Sequence, residues 1–161
     1  MLIRPLRASD RTSIERLLIE ADVFRDEEVA VALELVDIAL QKPDQEDYRF
    51  AVAEVEGEAA GYACWGPTPG TRGTWDLYWI AAAPRFQGLG VGRALLTAAE
   101  KALSAEGGRL CVVETSSLPQ YEPARRFYLR SGYREAARIS DFYQPGDAKV
   151  VYTKAFGPAT P

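Results

Sequence analysis

The chain has 161 residues, of which 47% are hydrophobic and 26% are charged, and its formal net charge is −4. This length and apolar content suit one folded domain with a sizeable core, which we expect to span residues 1–157, followed by a frayed tail at 158–161. The acidic balance and the absence of any basic block argue against nucleic acid as a partner. No apolar run approaches the roughly 18 residues of a membrane span, so we expect no membrane partner either.

Histidine and cysteine usage narrows the possible chemistry. The chain contains no histidine, which removes the commonest general base and the commonest zinc ligand. We therefore expect no metal site, and acid–base chemistry on carboxylates, tyrosine, cysteine, backbone or water. Cys64 and Cys111 lie inside apolar runs without paired spacing, as small core residues do in a reducing compartment. The first residues do not resemble a signal peptide, so we expect a cytoplasmic protein.

The first third of the chain predicts a strand, two amphipathic helices and a hairpin. Residues 2–6 predict a short strand, after which Ser9 or Asp10 is placed to cap a helix. The apolar face of this helix consists of Ile14, Leu17, Leu18 and Ala21. A second helix ends before Pro43 and carries at helical spacing Val29, Leu33, Val36 and Leu40. Alternation of apolar and polar residues then predicts a hairpin over residues 48–65.

The central stretch, residues 75–104, predicts a strand, a glycine-rich turn and a helix. Three glycines at alternate positions, Gly88, Gly90 and Gly92, let the backbone turn sharply and bring its N–H groups against a ligand. Because the helix begins inside this turn, its free N–H groups and Arg93 favour an anion such as phosphate. An ordinary turn is the simplest alternative. A dinucleotide fingerprint is another, although it requires the spacing Gly-x-Gly-x-x-Gly.

The last third of the chain predicts three strands around a short helix. Residues 109–115 predict an apolar strand, and Pro123 and Gly132 bracket a helix over residues 124–131. Two closing strands joined by a loop follow, at residues 133–139 and 149–155. Helices that alternate with the strands of a central sheet indicate an α/β or α+β domain.

The glycine turn resembles the acetyl-CoA loop of the GCN5-related N-acetyltransferase (GNAT) superfamily, whose pattern is Gln/Arg-x-x-Gly-x-Gly/Ala. Gln87, Gly90 and Gly92 match this pattern. The preceding strand, the Pro84-Arg85 pair and the Gly-Arg-Ala-Leu-Leu that follows are also similar to the family.

A second stretch resembles the C-terminal signature of the same family, Asn-x-x-Ala-x-x-x-Tyr followed by Gly-Phe or Gly-Tyr. Ala124, Tyr128 and the pair Gly132-Tyr133 are in register with it. Tyr121 stands where the family has asparagine, so the amide contact to the cofactor that is often made there is not expected from this side chain.

The resemblance implies the acyl-CoA N-acyltransferase fold, in which about four helices flank a mixed central sheet of about seven strands that splits beside the cofactor. It implies acetyl-CoA (coenzyme A) as the cofactor. In the family, a main-chain N–H of the central strand polarises the thioester carbonyl, and neighbouring strand residues hold the pantetheine arm. The expected cofactor-binding residues are Ile80, Ala82, Arg85, Gln87, Gly88, Leu89, Gly90, Val91, Gly92, Arg93, Tyr121 and Tyr128.

The resemblance also suggests catalytic groups. Tyr128 matches the tyrosine that in many members protonates the leaving thiolate, and a phenol with a pKa of about 10 is protonated at neutral pH. The alternative role for Tyr128 is packing on the sheet beside Phe127. Glu114 is our first choice for the general base, because it ends a strand on a face that it shares with apolar residues. Asp76 and Glu54 are the other candidates, and deprotonation through water requires no dedicated base.

Acceptor specificity is expected in loops. Phe24 between the first two helices, and Phe142 and Tyr143 between the last two strands, are the expected substrate-binding residues together with Glu54. Acidic groups near the cleft suit a cationic acceptor, so we expect acetyl transfer to a primary amine of a small molecule, or to a protein amine, by direct attack in a ternary complex. A non-catalytic module that binds CoA or acyl-CoA and a nucleotide-dependent oxidoreductase are the alternatives. For assembly we consider a homodimer.

Overall fold

A computed structural model describes residues 1–157, so the tail predicted at 158–161 lies outside the described residues. Within them the chain forms, in order, β1 (Leu2–Arg4), α1 (Asp10–Glu20), α2 (Asp26–Gln41), β2 (Arg49–Val55), β3 (Glu58–Pro67), β4 (Thr74–Ala82), α3 (Val91–Ala105), β5 (Leu110–Ser116), α4 (Glu122–Arg130), β6 (Arg134–Gln144) and β7 (Asp147–Ala155). Short 3-10 helices, Pro84–Phe86 and Pro119–Tyr121, precede α3 and α4. None of the helices in this part of the chain has the length and apolar character needed to cross a membrane.

The strands form a mixed sheet in the order β1-β2-β3-β4-β5-β7-β6. Strands β4 and β5 are parallel, with a ladder from Thr74 opposite Leu110 to Leu77 opposite Val113. The pairs β1–β2, β2–β3, β5–β7 and β6–β7 are antiparallel. A mixed sheet of seven strands with four helices in the described residues confirms the fold class predicted from the sequence.

The contacts of the chain divide it into two compact units. Unit 1 consists of Met1–Gly66 and Tyr78–Ala102, and unit 2 consists of Pro67–Leu77 and the chain from Leu103 onward. Strand β4 is shared between them and enters unit 1 at Tyr78.

The core of unit 1 is formed by the apolar faces of α1 and α2 and by the strands that they cover. Ile14, Leu18 and Val36 have exposed fractions of 0%, as the helical spacing predicts. They belong to one cluster with the strand residues Val52, Ala59, Tyr62, Cys64 and Ala81. Each fully buried aliphatic side chain of this kind contributes roughly 1.5–3 kcal/mol, so this shared face holds the helix pair on the sheet.

Helix α2 begins at Asp26, before the apolar spacing that starts at Val29. Its first turn is acidic, which suits the positive end of the helix dipole. The carboxylate of Glu28 accepts a hydrogen bond from the N–H of Arg25 at 2.8 Å and so satisfies a donor at the helix end.

Arg4 connects β1, α1 and β2 from a buried position. Its guanidinium donates to both carboxylate oxygens of Asp10 at 2.8 Å and to Glu54 at 2.5 Å. Burial alone would raise the pKa of Asp10, but hydrogen bonds from Arg4 and from the N–H of Arg7 outweigh burial and hold the pKa below its usual range. Ser9 is the N-cap residue of α1, one of the two positions predicted, but its side chain forms no cap hydrogen bond.

Gly61 allows β3 to approach β4 and the start of α3 closely. A Cβ atom at this position would lie 2.6 Å from the carbonyl oxygen of Ala81 and 2.8 Å from Cγ1 of Val91. A backbone carbonyl cannot move aside as a flexible side chain can, so only glycine fits here. Since Val91 is the first residue of α3, Gly61 sets how near that helix begins to the sheet.

Unit 2 has a buried face and a polar face. Cys111, Val113, Val150 and Tyr152 alternate along β5 and β7 on the buried face, where the ring of Tyr128 from α4 lies 6.0 Å from that of Tyr152. Side chains of the intervening residues point to the opposite face.

Strand β6 is longer than predicted, because it continues past Ile139 to Gln144. Its pairing with β7 is irregular between these two residues, and Asp141 adopts a φ of +54° while its carboxylate accepts the N–H of Gly146 at 2.8 Å. The residues at this irregularity are polar and turn-forming, which is why the sequence predicted a loop there. Phe142 and Tyr143 consequently belong to a strand, and their predicted placement in a loop is wrong.

Candidate active site

The glycine turn of unit 1 leads from the 3-10 helix Pro84–Phe86 into α3. Gly88 and Gly90 have φ values of +81° and +76°, a region in which glycine avoids the strain that other residues incur. A Cβ atom at either position would meet no protein atom within 4 Å. The two glycines therefore serve the path of the backbone and leave the space in front of it open.

The start of α3 supplies hydrogen-bond donors to that space. The first helical hydrogen bond runs from the N–H of Ala94 to the carbonyl of Gly90 at 3.0 Å. The N–H groups of Val91, Gly92 and Arg93 precede it and have no acceptor within the helix. Together with the helix dipole, they favour an anion. Donors that face open space without intervening side chains fit the diphosphate of coenzyme A.

The side chains around the turn differ in their exposure and in the partners that they already have. Gln87 is exposed, and Leu89 has an exposed fraction of 58%. Arg93 lies exposed in the first turn of α3, in the same groove as Gly90. Arg85 instead forms ion pairs with two glutamates. It donates to Glu58 at 2.6 Å and lies 3.4 Å from Glu20. Of the two predicted phosphate ligands, Arg93 is thus the one beside the turn.

Strand β4 carries the two residues predicted to hold the thioester and the pantetheine arm. Ile80 and Ala82 are half-buried, and they alternate with the buried Ala81 and Ala83. The N–H of Ala83 donates to the carbonyl of Ala60 at 2.9 Å, which ties the end of this segment to β3.

In unit 2, Tyr128 is positioned by the end of α4. The N–H of Tyr133 donates to the carbonyl of Tyr128 at 3.0 Å, and that of Gly132 donates to Leu129 at 3.2 Å. Gly132 has a φ of +87°. This is the Schellman arrangement, in which an apolar contact also spans the cap. Here the contact joins the rings of Tyr128 and Tyr133, with centroids 5.8 Å apart.

The environment of Tyr128 keeps its phenol protonated. The ring is buried and lies 5.5 Å from that of Phe127. Burial, reinforced by Cys111, raises the pKa of Tyr128 above its ordinary value. Tyr121, at the position where an asparagine was expected, is buried at the start of α4 and forms no side-chain cap bond there.

Polar side chains from three strands, β4, β5 and β7, follow one another on the polar face of unit 2. Asp76 of β4 lies opposite Val112, and Glu114 is two residues further along β5. Glu114 lies opposite Val151, and Lys149 is two residues from Val151 on β7. A separation of two residues keeps side chains on one face. We call Asp76, Glu114 and Lys149, with Thr68 and Phe142 at the two ends, the charged row.

Hydrogen bonds and ion pairs connect the members of the charged row. The hydroxyl of Thr68 donates to Asp76 at 2.7 Å. Lys149 Nζ lies 2.7 Å from the Glu114 carboxylate and 4.0 Å from the centroid of the Phe142 ring. Burial, with a smaller contribution from Glu114, raises the pKa of Asp76 despite the opposing effects of Thr68 and Lys149.

Sequence reasoning missed Thr68 and Lys149. Neither lies in a motif, and both enter the site through strand pairing and a loop. The available signal for Lys149 was a cation at the first position of a predicted strand, residues 149–155.

Two predicted acceptor residues have other contacts within unit 1. Glu54 binds Arg4, and it lies where the register of β2 and β3 shifts, between Ala53 and Glu54. Phe24 packs against the core, with its ring 5.4 Å from that of Trp79. Tyr143 lies beside Phe142, with ring centroids 5.0 Å apart.

The seven-stranded mixed sheet, the open glycine turn and the capped tyrosine helix define an acyl-CoA N-acyltransferase. A family model for the GNAT acetyltransferase domain matches residues 46–135, which is more than half of the chain. The chain belongs to this family. It is an N-acetyltransferase that uses acetyl-CoA and acts on an amine.

Solved structures agree with this assignment. A GNAT-family protein from Desulfovibrio desulfuricans is 42% identical, with a TM-score of 0.91 over 96% of this chain and 98% of that chain. An aminoglycoside 6'-N-acetyltransferase complexed with coenzyme A is 16% identical, with a TM-score of 0.78 over 100% of both chains. The ribosomal-protein-S18-alanine N-acetyltransferase from Escherichia coli is 20% identical, with a TM-score of 0.76 over 99% of this chain and 96% of that chain.

Proposed function

We propose that this chain acetylates a primary amine of a small molecule by direct attack of the amine on acetyl-CoA in a ternary complex, with Asp76 as the general base. The observation that carries the proposal is the half-buried Asp76 carboxylate, one oxygen of which accepts the Thr68 hydroxyl. A base must be ionised and yet hold a proton well, and the raised pKa of Asp76 moves it in that direction.

Asp76 suits the role better than Glu114, our first choice from the sequence. The Glu114 side chain has an exposed fraction of 47%, and its carboxylate is paired with Lys149. A carboxylate that already binds a cation is less accessible to the proton of an incoming amine.

Direct attack is supported by the state of the two thiols. A covalent acetyl-cysteine route requires an accessible thiolate. Cys64 and Cys111 are both buried cysteines in the thiol form, and burial raises the pKa of Cys64 well above its usual range. Neither thiol suits such a route.

The remaining roles divide between the two units. In unit 1, the N–H groups at the start of α3, with Arg93, would bind the diphosphate. The N–H of Ile80 would polarise the carbonyl, and Ala82 would hold the pantetheine arm. In unit 2, the Tyr128 phenol would donate its proton to the departing thiolate, which burial favours by keeping the phenol neutral.

A small acceptor is favoured because Asp76 is half-buried, and a slender amine reaches such a group more readily than a folded protein surface does. The structural neighbours include enzymes for both kinds of acceptor, aminoglycosides and a ribosomal-protein alanine. We further propose that residues 1–157 form one acetyltransferase domain and, because both cysteines are buried in the thiol form, that the protein is cytoplasmic.

The test is to incubate the purified protein with acetyl-CoA and a panel of primary amines while thiol release and acetylated product are both followed. We expect stoichiometric thiol and product with at least one small amine, and a strong loss of both in Asp76→Asn. Saturable binding of acetyl-CoA without turnover on any acceptor would contradict the proposal and favour a non-catalytic acyl-CoA-binding module.

A further inference from the structure

The ammonium group of Lys149 has the two partners from which an ammonium-binding site is built. Its Nζ lies 2.7 Å from a carboxylate oxygen of Glu114 and 4.0 Å from the centroid of the Phe142 ring. A carboxylate supplies charge and accepts hydrogen bonds, and the face of an aromatic ring attracts a cation. The side chain of Lys149 thus occupies the position of a bound alkylammonium ion.

The exposure of the three side chains supports this description. Lys149 has an exposed fraction of 15%, whereas its partners Glu114 and Phe142 have 47% and 48%. The cation is therefore the covered member, and the carboxylate and the ring are exposed at the surface of unit 2. A cation from solution reaches the same two groups if Lys149 is removed.

This position lies a short distance along the sheet from Asp76. Asp76 is opposite Val112, and Glu114 is two residues further on β5, a spacing of roughly 7 Å along the strand and about 4.8 Å across to it. A short diamine has comparable length when it is extended. With one amine at Asp76, its second ammonium would arrive where Lys149 already lies.

We propose that Glu114 and Phe142 form an ammonium subsite that Lys149 fills, and that Lys149 thereby makes the enzyme select monoamines over diamines. This inference names the acceptor class and rests on the proposed acetylation of a small amine at Asp76. Lys149 acts as a specificity-determining residue: its charge repels a second ammonium group and its side chain takes the partners that such a group requires.

The subsite is tested first by binding, which requires no turnover. Methylammonium chloride is titrated into wild-type protein and into Lys149→Met, and the amide resonances of Glu114 and Phe142 are followed at constant ionic strength. Methionine keeps the apolar stem and removes the charge. Because exposed ion pairs and cation–π contacts are individually weak, we expect an affinity gain of about tenfold in the variant.

Two further variants separate the subsite from a general effect of charge. Lys149→Arg keeps a cation between the same partners and should bind methylammonium as weakly as wild type. The double variant Lys149→Met with Glu114→Gln keeps the methionine but loses the carboxylate, so the gained affinity should disappear. Lys149→Gln replaces Lys149→Met if the latter does not give a folded spectrum.

Selectivity is then measured as the ratio of kcat/KM for butylamine to kcat/KM for 1,4-diaminobutane. The ratio should fall about tenfold in Lys149→Met, in line with the binding gain, and stay near the wild-type value in Lys149→Arg. Equal methylammonium affinity in wild type and Lys149→Met, or an unchanged ratio, would overturn the inference. If the titration gives the expected gain and no amine is acetylated, the subsite stands and the proposed function fails.

Discussion

The glycine turn and the charged row are built in opposite ways. The turn is made by consecutive residues, 87–92, and its donors are backbone N–H groups fixed by two glycines with positive φ and by the start of a helix. The row is made by side chains from β4, β5, β6 and β7 and a loop, and it depends on strand register. Backbone donors recognise one kind of ligand whatever the neighbouring side chains are. The row can be changed residue by residue without altering the fold, so acceptor selection can vary while the cofactor stays the same.

The largest effect on kcat is expected from a substitution in the charged row. Asp76→Asn removes the proposed base, and general base catalysis contributes roughly 10²–10⁴-fold, so kcat should fall by about that factor. The affinity for acetyl-CoA, measured by calorimetry, should stay within a few-fold of wild type. Glu114→Gln is the matched control and should lower kcat by less than about tenfold. Equal losses of kcat in the two variants would indicate that Glu114 or water, and not Asp76, acts as the general base.

Gly90→Glu tests the turn. It combines a φ of +76°, which is unfavourable for glutamate, with a negative charge at the anion-binding helix start. We expect the affinity for acetyl-CoA to fall roughly 100-fold, which corresponds to about 2.8 kcal/mol. Gly70→Glu provides the control, because Gly70 has a φ of +74° and equally open surroundings but lies outside the turn. A comparable loss in both variants would point to backbone strain alone.

Tyr128→Phe separates chemistry from binding within unit 2. It removes the phenol oxygen and keeps the ring contacts, so kcat should fall by roughly 10–100-fold while acetyl-CoA affinity is retained. Tyr152→Phe, on a neighbouring ring of the same buried face, should leave kcat near wild type. Intact turnover in Tyr128→Phe would reduce Tyr128 to a packing residue.

The smallest effect concerns the pH dependence of the row. Thr68 donates to the ionised form of Asp76, so its removal in Thr68→Val should raise the pKa of Asp76 further. The acid limb of the kcat profile, measured at saturating amine, should move to higher pH, and the lost hydrogen bond is worth about 1 kcal/mol. Glu114→Gln should move the same limb to lower pH, since it removes a neighbouring negative charge. If neither substitution moves the acid limb of the kcat profile, the titrating group is not Asp76.

The elements that were predicted well from the sequence are those determined by neighbouring residues in the chain. The glycines of the turn, the apolar faces of α1 and α2, and the start and end of α4 at Pro123 and Gly132 all follow from spacing and backbone preference within a few residues. These preferences act in any tertiary context, so they can be recognised in a single chain.

The features set by strand pairing could not be predicted from the sequence. The shift between β2 and β3 at Glu54, the irregular continuation of β6 through Phe142, and the meeting of Lys149 with Glu114 each depend on which residues face one another across strands. A single-residue change in register moves a side chain to the other face, so alternation alone cannot assign partners.

The close approach at Gly61 has a consequence for how this family member tolerates change. Any larger residue there pushes against a carbonyl of β4 and the first residue of α3, and so displaces the amides that follow the turn. In a library of random variants selected only for activity, position 61 should therefore be as intolerant as the turn itself, although it lies inside the sheet. Its signature would be a raised Michaelis constant for the acyl donor, a change that would otherwise be attributed to direct ligand contact.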